Sequence, residues 1–303
     1  MKKVLILTRF RGEYEPSRLK KEAVGMGYEV DVVNYEHVRV GVSSEGRPDI
    51  DLGTGKKIEE YSLVIPRAAT ARGKAAMTGV KTVILEYLVK HNENSQKKVK
   101  VVNGRSFKEY PLMGKLEQGI LLSQAELPAI PFQSFNGKKG WKSYLESGPE
   151  LPVMVKARFG SHGKGVRLAV NLEKLIKLSE KYSEGTVLIQ PVLKVRRWYR
   201  VIVMGGVVLG EMAHKQKSKF QTDEIQEEVG SVKPVFSERQ LEELKVICER
   251  ACDLFRCDYA GLDVAWEEDE KRWIIFEINR TAQFKWFEKA HPELNVAKEM
   301  VML

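Results

Sequence analysis

The sequence predicts a mixed protein: a small parallel α/β lobe over residues 1–103, then α+β lobes built on antiparallel pairs. Three observations carry this. The first hundred residues alternate strand and helix patterns at the spacing of βαβ units. The last third holds two apolar runs folded about turn signals, "VIVMGGVVLGEMA" (201–213) and "GLDVAWEEDEKRWIIFEIN" (261–279). Between these regions, the strands "LPVMVKAR" and "GVRLAV" flank the glycine loop of "ARFGSHGKGV" (157–166).

In the first lobe, "KKVLILTRF" (2–10) is a short aliphatic strand. "PSRLKKEAVGMG" (16–27) has helical spacing and ends at glycine, and "YEVDVVNY" (28–35) alternates as a second strand. "YSLVIPRAAT" (61–70) is a strand running into a loop, "KTVILEYLVKHN" (81–92) is helical, and "KKVKVVNG" (97–104) is a further strand. The first turn, "TRFRGEYEPS", lacks GxGxxG, so a dinucleotide site gains no support.

Beyond residue 105, "EYPLMGKLEQGILLSQAE" (109–126) reads as helical, with Lys115 on a helix start after "YPLMG", and "LPAIPFQSF" reads as an extended, proline-marked segment. "NLEKLIKLSEKY" (171–182) is a helix with Asn171 at its N-cap. "TVLIQPVL" (186–193) is a buried strand in which Pro191 marks an edge or a hinge. Gly205 and Gly206 turn the first hairpin. Ser237 and Gln240 form a capping box for a helix over 238–255.

A chain of 303 residues, 43% hydrophobic and 30% charged, suits a globular protein of two or three lobes. The apolar run at the start is too short for a signal-peptide core or a membrane span, so a cytoplasmic protein without membrane contact is expected. Cys248, Cys252 and Cys257 lack CxxC spacing and read as core thiols. The net charge of +9 points to acidic partners, whereas "HKQKSK" (214–219) alone reads as a solvated surface.

The second hairpin carries the chemistry. Glu277 and Asn279, two apart on a strand, leave the same face. A three-residue loop (269–271) then sets Asp263 opposite Glu277. Two carboxylates across a ladder repel, and a divalent cation relieves them. Asp263, Glu277 and Asn279 offer hard oxygens, which suits Mg2+ rather than zinc. Lys115, Lys156 and Arg200 are cations in apolar settings that call for anions, and polyphosphate supplies them. The P-loop pattern fails, because Gly165 follows Lys164 where Ser or Thr is required. The glycine loop also joins strand to strand, with no helix dipole to hold phosphate. Any nucleotide here is covered by a loop lying over its phosphates.

In this order the motifs resemble the ATP-grasp superfamily, within it the RimK-like and glutathione-synthetase-like carboxylate–amine ligases. "LVIPRAAT" resembles the family's N-terminal strand, and "VVNGRSFKEYPLMGKLEQGILLSQAELPAIPF" its asparagine and lysine-bearing helix. "LPVMVKARFGSHGKGVRL" is similar to the nucleotide lysine and glycine loop, "LIQPVLKVRRWYRVIVMGGVVLGEM" to the hinge and following strand, and "YAGLDVAW…WIIFEINRTAQF" to the metal hairpin. The resemblance implies an ATP-grasp fold: a Rossmann-like pre-ATP-grasp lobe (1–103), a central lobe with the lid (104–190) and a C-terminal lobe with the metal hairpin (191–303), the last two sandwiching ATP.

It also implies roles. Lys115 and Lys156 contact the α/β-phosphates, and Ser161, His162, Gly163 and Gly165 belong to the phosphate lid. Gln190, Pro191, Val192 and Leu193 line the adenine. Asp263, Glu277 and Asn279 hold two Mg2+ ions, or Mn2+ in their place, and Arg200 steadies the transferred phosphate or the acyl phosphate. The implied reaction phosphorylates a carboxylate with ATP, and an amine then attacks to give an amide, or a hydroxyl to give an ester. The implied partner is an amino acid, a peptide or an acidic protein, with a dimer or tetramer as assembly. "EINRTAQFKWFEKA" loosely resembles graspetide peptide ligases through Gln283, Trp286 and Glu288.

The chain departs from the pattern at three places. Pro191 stands at an acidic hinge position, and Trp198 stands where aspartate precedes the arginine. "KFQTDE" (219–224) replaces D-F-R-S-N, which leaves His214, Lys215 or Lys217 to supply a cation. The rival reading is a catalytically inactive module that binds nucleotide or nucleic acid. The intact set of Asp263, Glu277 and Asn279 argues against it.

Overall fold

The structure is a computed structural model describing residues 1–69, 76–111, 113–157, 166–213 and 236–303. The lid residues Ser161, His162, Gly163 and Gly165, and His214, Lys215 and Lys217, lie outside the described residues. Among the described residues the strands form three four-stranded sheets and one two-stranded sheet.

The first sheet follows the expected βαβ logic. β1 (Lys3–Thr8), α1 (Tyr14–Gly25) and β2 (Glu29–Asn34) lead into an exposed hairpin, β3 (Arg39–Val42) with β4 (Pro48–Asp51). β5 (Leu63–Pro66), α2 (Ala76–Asn94) and β6 (Lys100–Val101) complete the lobe. The four long-range strands pair in parallel in the order β2-β1-β5-β6. Sequence reading missed the β3–β4 hairpin, because its residues are mostly exposed and carry no core-facing alternation. The strand expected over 97–104 is shorter, because the chain turns at Asn103, whose φ is +60°.

Within the helical stretch expected over 109–126, α4 (Lys115–Gln124) starts at Lys115 as expected, and a separate short helix, α3 (Gly104–Glu109), precedes it. Pro111 explains the break: it offers no N–H and drives Tyr110 out of the helical region, to φ −126° and ψ 65°. This break places Lys115 at the first position of a helix.

The central sheet contains β7 (Gln133–Asn136), α5 (Gly137–Glu146), β8 (Val153–Ala157), β9 (Val166–Ala169), α6 (Leu172–Lys181) and β10 (Thr186–Pro191). Its order is β7-β10-β8-β9, antiparallel throughout. Val153, Val155, Val187 and Ile189 pack on Trp141, Tyr144, Leu175 and Leu178. Strand alternation therefore turns Lys156 and Gln190 to the opposite face. Asn171 caps α6 as expected, accepting from the Lys174 N–H at 2.9 Å. Pro191 is not at a sheet edge, since β10 is internal. It is the strand's last residue, past the end of β7 pairing at Ile189, where no donor is needed on that side.

The third sheet contains β11 (Val195–Met204), β12 (Val207–Ala213), then, after α7 (Glu238–Leu254), β13 (Tyr259–Glu267) and β14 (Arg272–Asn279). α8 (Lys285–Ala290) and α9 (Val296–Met302) end the chain. The sheet order is β12-β11-β13-β14. Gly205 and Gly206, at φ +58° and +83°, make the tight turn expected of them. Ser237 and Gln240 form the capping box of α7. Cys248, Cys252 and Cys257 are buried, and burial pushes their thiols up, so they serve as core groups. Phe284, Phe287, Val296 and Met300 then share one core with Val4, Ile6 and Leu19 of the first lobe. Among the described residues no helix is long and apolar enough to cross a membrane.

Asn103 joins these layers. Its amide donates to the carbonyls of Tyr259 and Arg280, each at 2.8 Å, and its Oδ1 accepts from the Tyr259 N–H at 2.9 Å. Its own N–H donates to the Asp258 carboxylate at 2.6 Å. One side chain at 1% exposure thus ties the end of the first sheet to both strands of the last hairpin. Asn103→Ala should cost roughly 2–4 kcal/mol, because three backbone groups lose their partner in a dry site and the left-handed turn loses its asparagine. Urea unfolding at unchanged m-value checks this.

Candidate active site

Sheet register assembles the charged residues. Asp263 lies opposite Glu277 and also opposite Arg200, while Gly261 lies opposite Asn279. The expected pairing of Asp263 with Glu277 holds, but not for the expected reason. The loop is four residues, Glu268–Lys271, with Glu267 paired to Arg272. Left alone, that turn would shift the ladder by one. A β-bulge between Asp263 and Val264 restores it, with Phe276 and Glu277 facing one partner. The signal is in the pattern: Trp273, Ile275 and Ile278 belong to one core cluster, and the step of three between the last two marks the extra residue.

The bulge brings Phe276 to the face that carries Glu277. Its ring stacks on Trp198, with centroids 5.1 Å apart and planes 4° from parallel. The Lys156 ammonium sits 5.8 Å from the same ring. The tryptophan that departs from the family pattern is therefore half of an aromatic platform beside the carboxylates.

Each carboxylate is paired with a cation. Arg200 Nε donates to Asp263 Oδ1 at 2.6 Å, the two side chains only 14% and 15% exposed. Burial weighs against the charged guanidinium, but the Asp263 charge and hydrogen bond outweigh it and raise the Arg200 pKa. Gly261 makes room for this pair, because a Cβ there would come within 2.9 Å of Arg200 Cδ and 2.5 Å of Ala282 Cβ. Lys115 Nζ lies 3.1 Å from Glu277 Oε2. Lys156 has no such ion pair among the described residues. Burial, then the Lys115 charge, pushes its ammonium down to about 8, and Glu277 opposes the shift.

The donor set suits Mg2+: two carboxylates and an amide oxygen, all hard ligands. Asn279 Oδ1 accepts from the Thr281 N–H at 2.9 Å and from the Thr281 hydroxyl at 3.3 Å, which fixes its orientation; a metal there would take the place of the weaker, hydroxyl donor. Among the described residues no group of three or more His, Cys, Asp and Glu residues forms a metal cluster. The site is therefore sparse in protein ligands, which is how Mg2+ is held when phosphate oxygens complete its shell. Gln190 is 4% exposed, and its Oε1 has no hydrogen-bond partner among the described residues. A buried acceptor of this kind is suited to an amino group such as that of adenine.

Two groups escaped sequence reading. Gln118, at 4% exposure, donates to the Ile278 carbonyl at 3.0 Å and accepts from the Ile278 N–H at 2.8 Å. Its amide acts as a one-residue strand on the open edge of β14, clamping the helix of Lys115 to the strand of Glu277. The second group is basic. Arg67, Lys81 and Arg280 converge where the first sheet meets the chain after Asn279, and Lys81 and Arg280 approach the Phe107 ring to 4.1 and 4.2 Å. Burial, then the Arg280 and Arg67 charges, pushes Lys81 down to about 7. Neither was visible beforehand, because a glutamine inside a helix and cations from distant segments carry no local motif.

Gln118→Leu should lower stability by roughly 1–3 kcal/mol, the cost of leaving two buried backbone groups unpaired, read by denaturant unfolding. Lys81 supplies a pH test. Between about 7 and the usual 10.5 the unfolded chain binds the proton that the folded chain releases, so stability from this group rises with pH across that window. Lys81→Met should therefore stabilise the fold by ~1–2 kcal/mol below pH 7, an advantage that fades toward pH 10.5, read as melting temperature against pH.

Comparison with known proteins agrees with this geometry. A RimK-like ATP-grasp domain matches residues 116–303 and a RimK PreATP-grasp domain matches residues 1–104. A probable alpha-L-glutamate ligase of Psychromonas ingrahamii is 26% identical over 216 residues, covering 69% of this chain and 66% of that protein. One from Aliivibrio fischeri is 25% identical over 296 residues, covering 95% and 90%. Among solved structures, the ATP-grasp ligase PsnB complexed with minimal precursor superposes with a TM-score of 0.69 at 16% identity, covering 99% of this chain and 97% of that one. The macrocyclase MdnC bound with precursor peptide MdnA, from Microcystis aeruginosa, gives 0.66 at 17%, covering 99% and 98%. With the two domain models spanning nearly all of its length, the chain belongs to the RimK-like ATP-grasp family.

Proposed function

We propose that this ATP-grasp ligase joins a carboxylate to an amine of an amino acid, peptide or acidic protein through an acyl phosphate. A carboxylate oxygen attacks the γ-phosphorus of ATP and ADP leaves. The amine nitrogen then attacks the acyl carbon, phosphate departs with the C–O bond's electron pair, and the amine loses a proton. The observation that carries this reading is the two ion pairs, Arg200–Asp263 and Lys115–Glu277, set side by side by the facing of Asp263 and Glu277 across the hairpin.

In this reading the chain binds and orients rather than attacking. Lys115 and Lys156 lie along the phosphates, and Arg200, held by Asp263, faces the transferred group. Asp263, Glu277 and Asn279 would hold Mg2+, which neutralises phosphate charge when bound. Gln190, Pro191, Val192 and Leu193 border the adenine, with the Trp198–Phe276 platform beside them. The glycine loop holding Ser161, His162, Gly163 and Gly165 closes over the phosphates. Positioning and charge neutralisation then account for the rate.

The alpha-L-glutamate ligase names of the relatives support glutamate as one partner in the bond. The net charge of +9 supports an acidic acceptor. The precursor peptide carried by MdnC favours a second form, in which the acceptor is a peptide side chain and a hydroxyl gives an ester. Glu288 does not serve that form here. It is buried and holds Tyr14 and Arg18 of α1 at 2.7 and 3.1 Å.

ADP and phosphate release, screened over paired carboxylates and amines including acidic peptides, tests the reading. Glu277→Ala should lower kcat by on the order of 100-fold or more while the fold survives. Unchanged turnover in a folded variant would overturn the assignment.

A further inference from the structure

The three cations at the junction of the lobes have no counterion among the described residues. Arg67 is 4% exposed, and its guanidinium donates to the carbonyls of Thr281 and Ala282 at 3.2 and 2.6 Å. Its ring neighbours are Tyr259 and Phe284, at 5.8 and 5.6 Å. Lys81 Nζ reaches the Arg67 carbonyl at 3.4 Å. Arg280 donates to the carbonyls of Ser106 and Tyr110, both at 2.8 Å. Every one of these partners is neutral. Glu15, the buried carboxylate of the region, is turned to the N–H groups of Phe284 and Lys285 at 3.2 and 3.3 Å.

Carbonyls and aromatic faces hold these side chains in place without cancelling their charge. Three like charges kept close in a low-dielectric junction work against the fold, and burial, with the Arg280 and Arg67 charges added to it, lowers the pKa of Lys81. Lys81 and Arg280 are half-buried residues, so the cluster is not sealed from solvent on every side. The location matters too. Arg67 follows the last residue of β5, at the carboxyl end of a parallel sheet, where open α/β sheets place their ligands. Arg280 directly follows Asn279, so the cluster adjoins the candidate metal residues.

We propose that Arg67, Lys81 and Arg280 form an anchor for a carboxylate of the acidic substrate other than the one that reacts. The proposal rests on the ligase reading above and names what that site selects. Phosphate chemistry is already served by Lys115, Lys156 and Arg200, whereas planar guanidinium groups match a carboxylate. The anchor would distinguish glutamate-type substrates from neutral ones, because a neutral side chain leaves the cluster uncompensated.

Calorimetric titration with tri-L-glutamate tests this, with tri-L-glutamine and inorganic phosphate as competing probes. Wild type should bind tri-L-glutamate with measurable heat and bind tri-L-glutamine at least tenfold more weakly. Lys81→Met should weaken tri-L-glutamate at least tenfold, and Lys81→Arg, which keeps the charge, should stay within about threefold of wild type. Equal binding of the two peptides, no binding, or unchanged affinity in Lys81→Met would overturn the anchor. Displacement of tri-L-glutamate by equimolar phosphate would overturn its preference for carboxylate. Titration of the same samples with Mg2+ and a non-hydrolysable ATP analogue separates the two readings: failure there strikes the ligase assignment and leaves the peptide result standing.

Discussion

The constraint on which the rest depends is the amide of Asn103. The parallel sheet of the first lobe and the antiparallel hairpin belong to separate sheets, so no strand ladder joins them. Asn103 bridges them by presenting a side-chain donor and acceptor to Tyr259 and a second donor to Arg280. The left-handed backbone needed to aim that amide is tolerated by asparagine better than by other residues with a side chain. Once this join is made, the ends of β13 and β14 are fixed relative to Arg67.

Within the cleft, opposite charges are interleaved. Each carboxylate carries a cation of the same site, so neither is an uncompensated charge in a half-dry place. Anionic phosphate and a divalent metal arriving together can exchange partners with these pairs without a large change in local charge. The basic cluster follows the opposite rule, since its charges are held by neutral groups.

Most of the framework was legible in the sequence because it obeys local rules. Alternation and turn glycines marked β11 and β12, capping residues marked α6 and α7, and paired polar positions marked Glu277 and Asn279. What escaped depends on distant partners or on competing local effects. The six-residue α3, closed off by Pro111, is too short to carry an apolar period. The bulge at Phe276 cancelled an error in loop length, so the predicted facing of Asp263 and Glu277 came out correct through two offsets. Gln118 and the Arg67–Lys81–Arg280 group gain meaning only when segments some two hundred positions apart meet. The roles implied for the lid fall on residues beyond those described.

The bulge also separates the two ends of the last hairpin. Its far half, from Val264 to Glu267, keeps its own pairing through Trp273 and Ile275, which are locked in the core. Its near half is set by Asn103 and Gln118, which grip Tyr259 and Ile278. The offset between the halves is absorbed at one residue, so the turn at Glu268–Lys271 carries no information to the carboxylates. Loop length there is a free variable for the chain. Residues can be added or lost at that tip, or a fused segment inserted, and the facing of Asp263 and Glu277 stays where the bulge and the two amides put it.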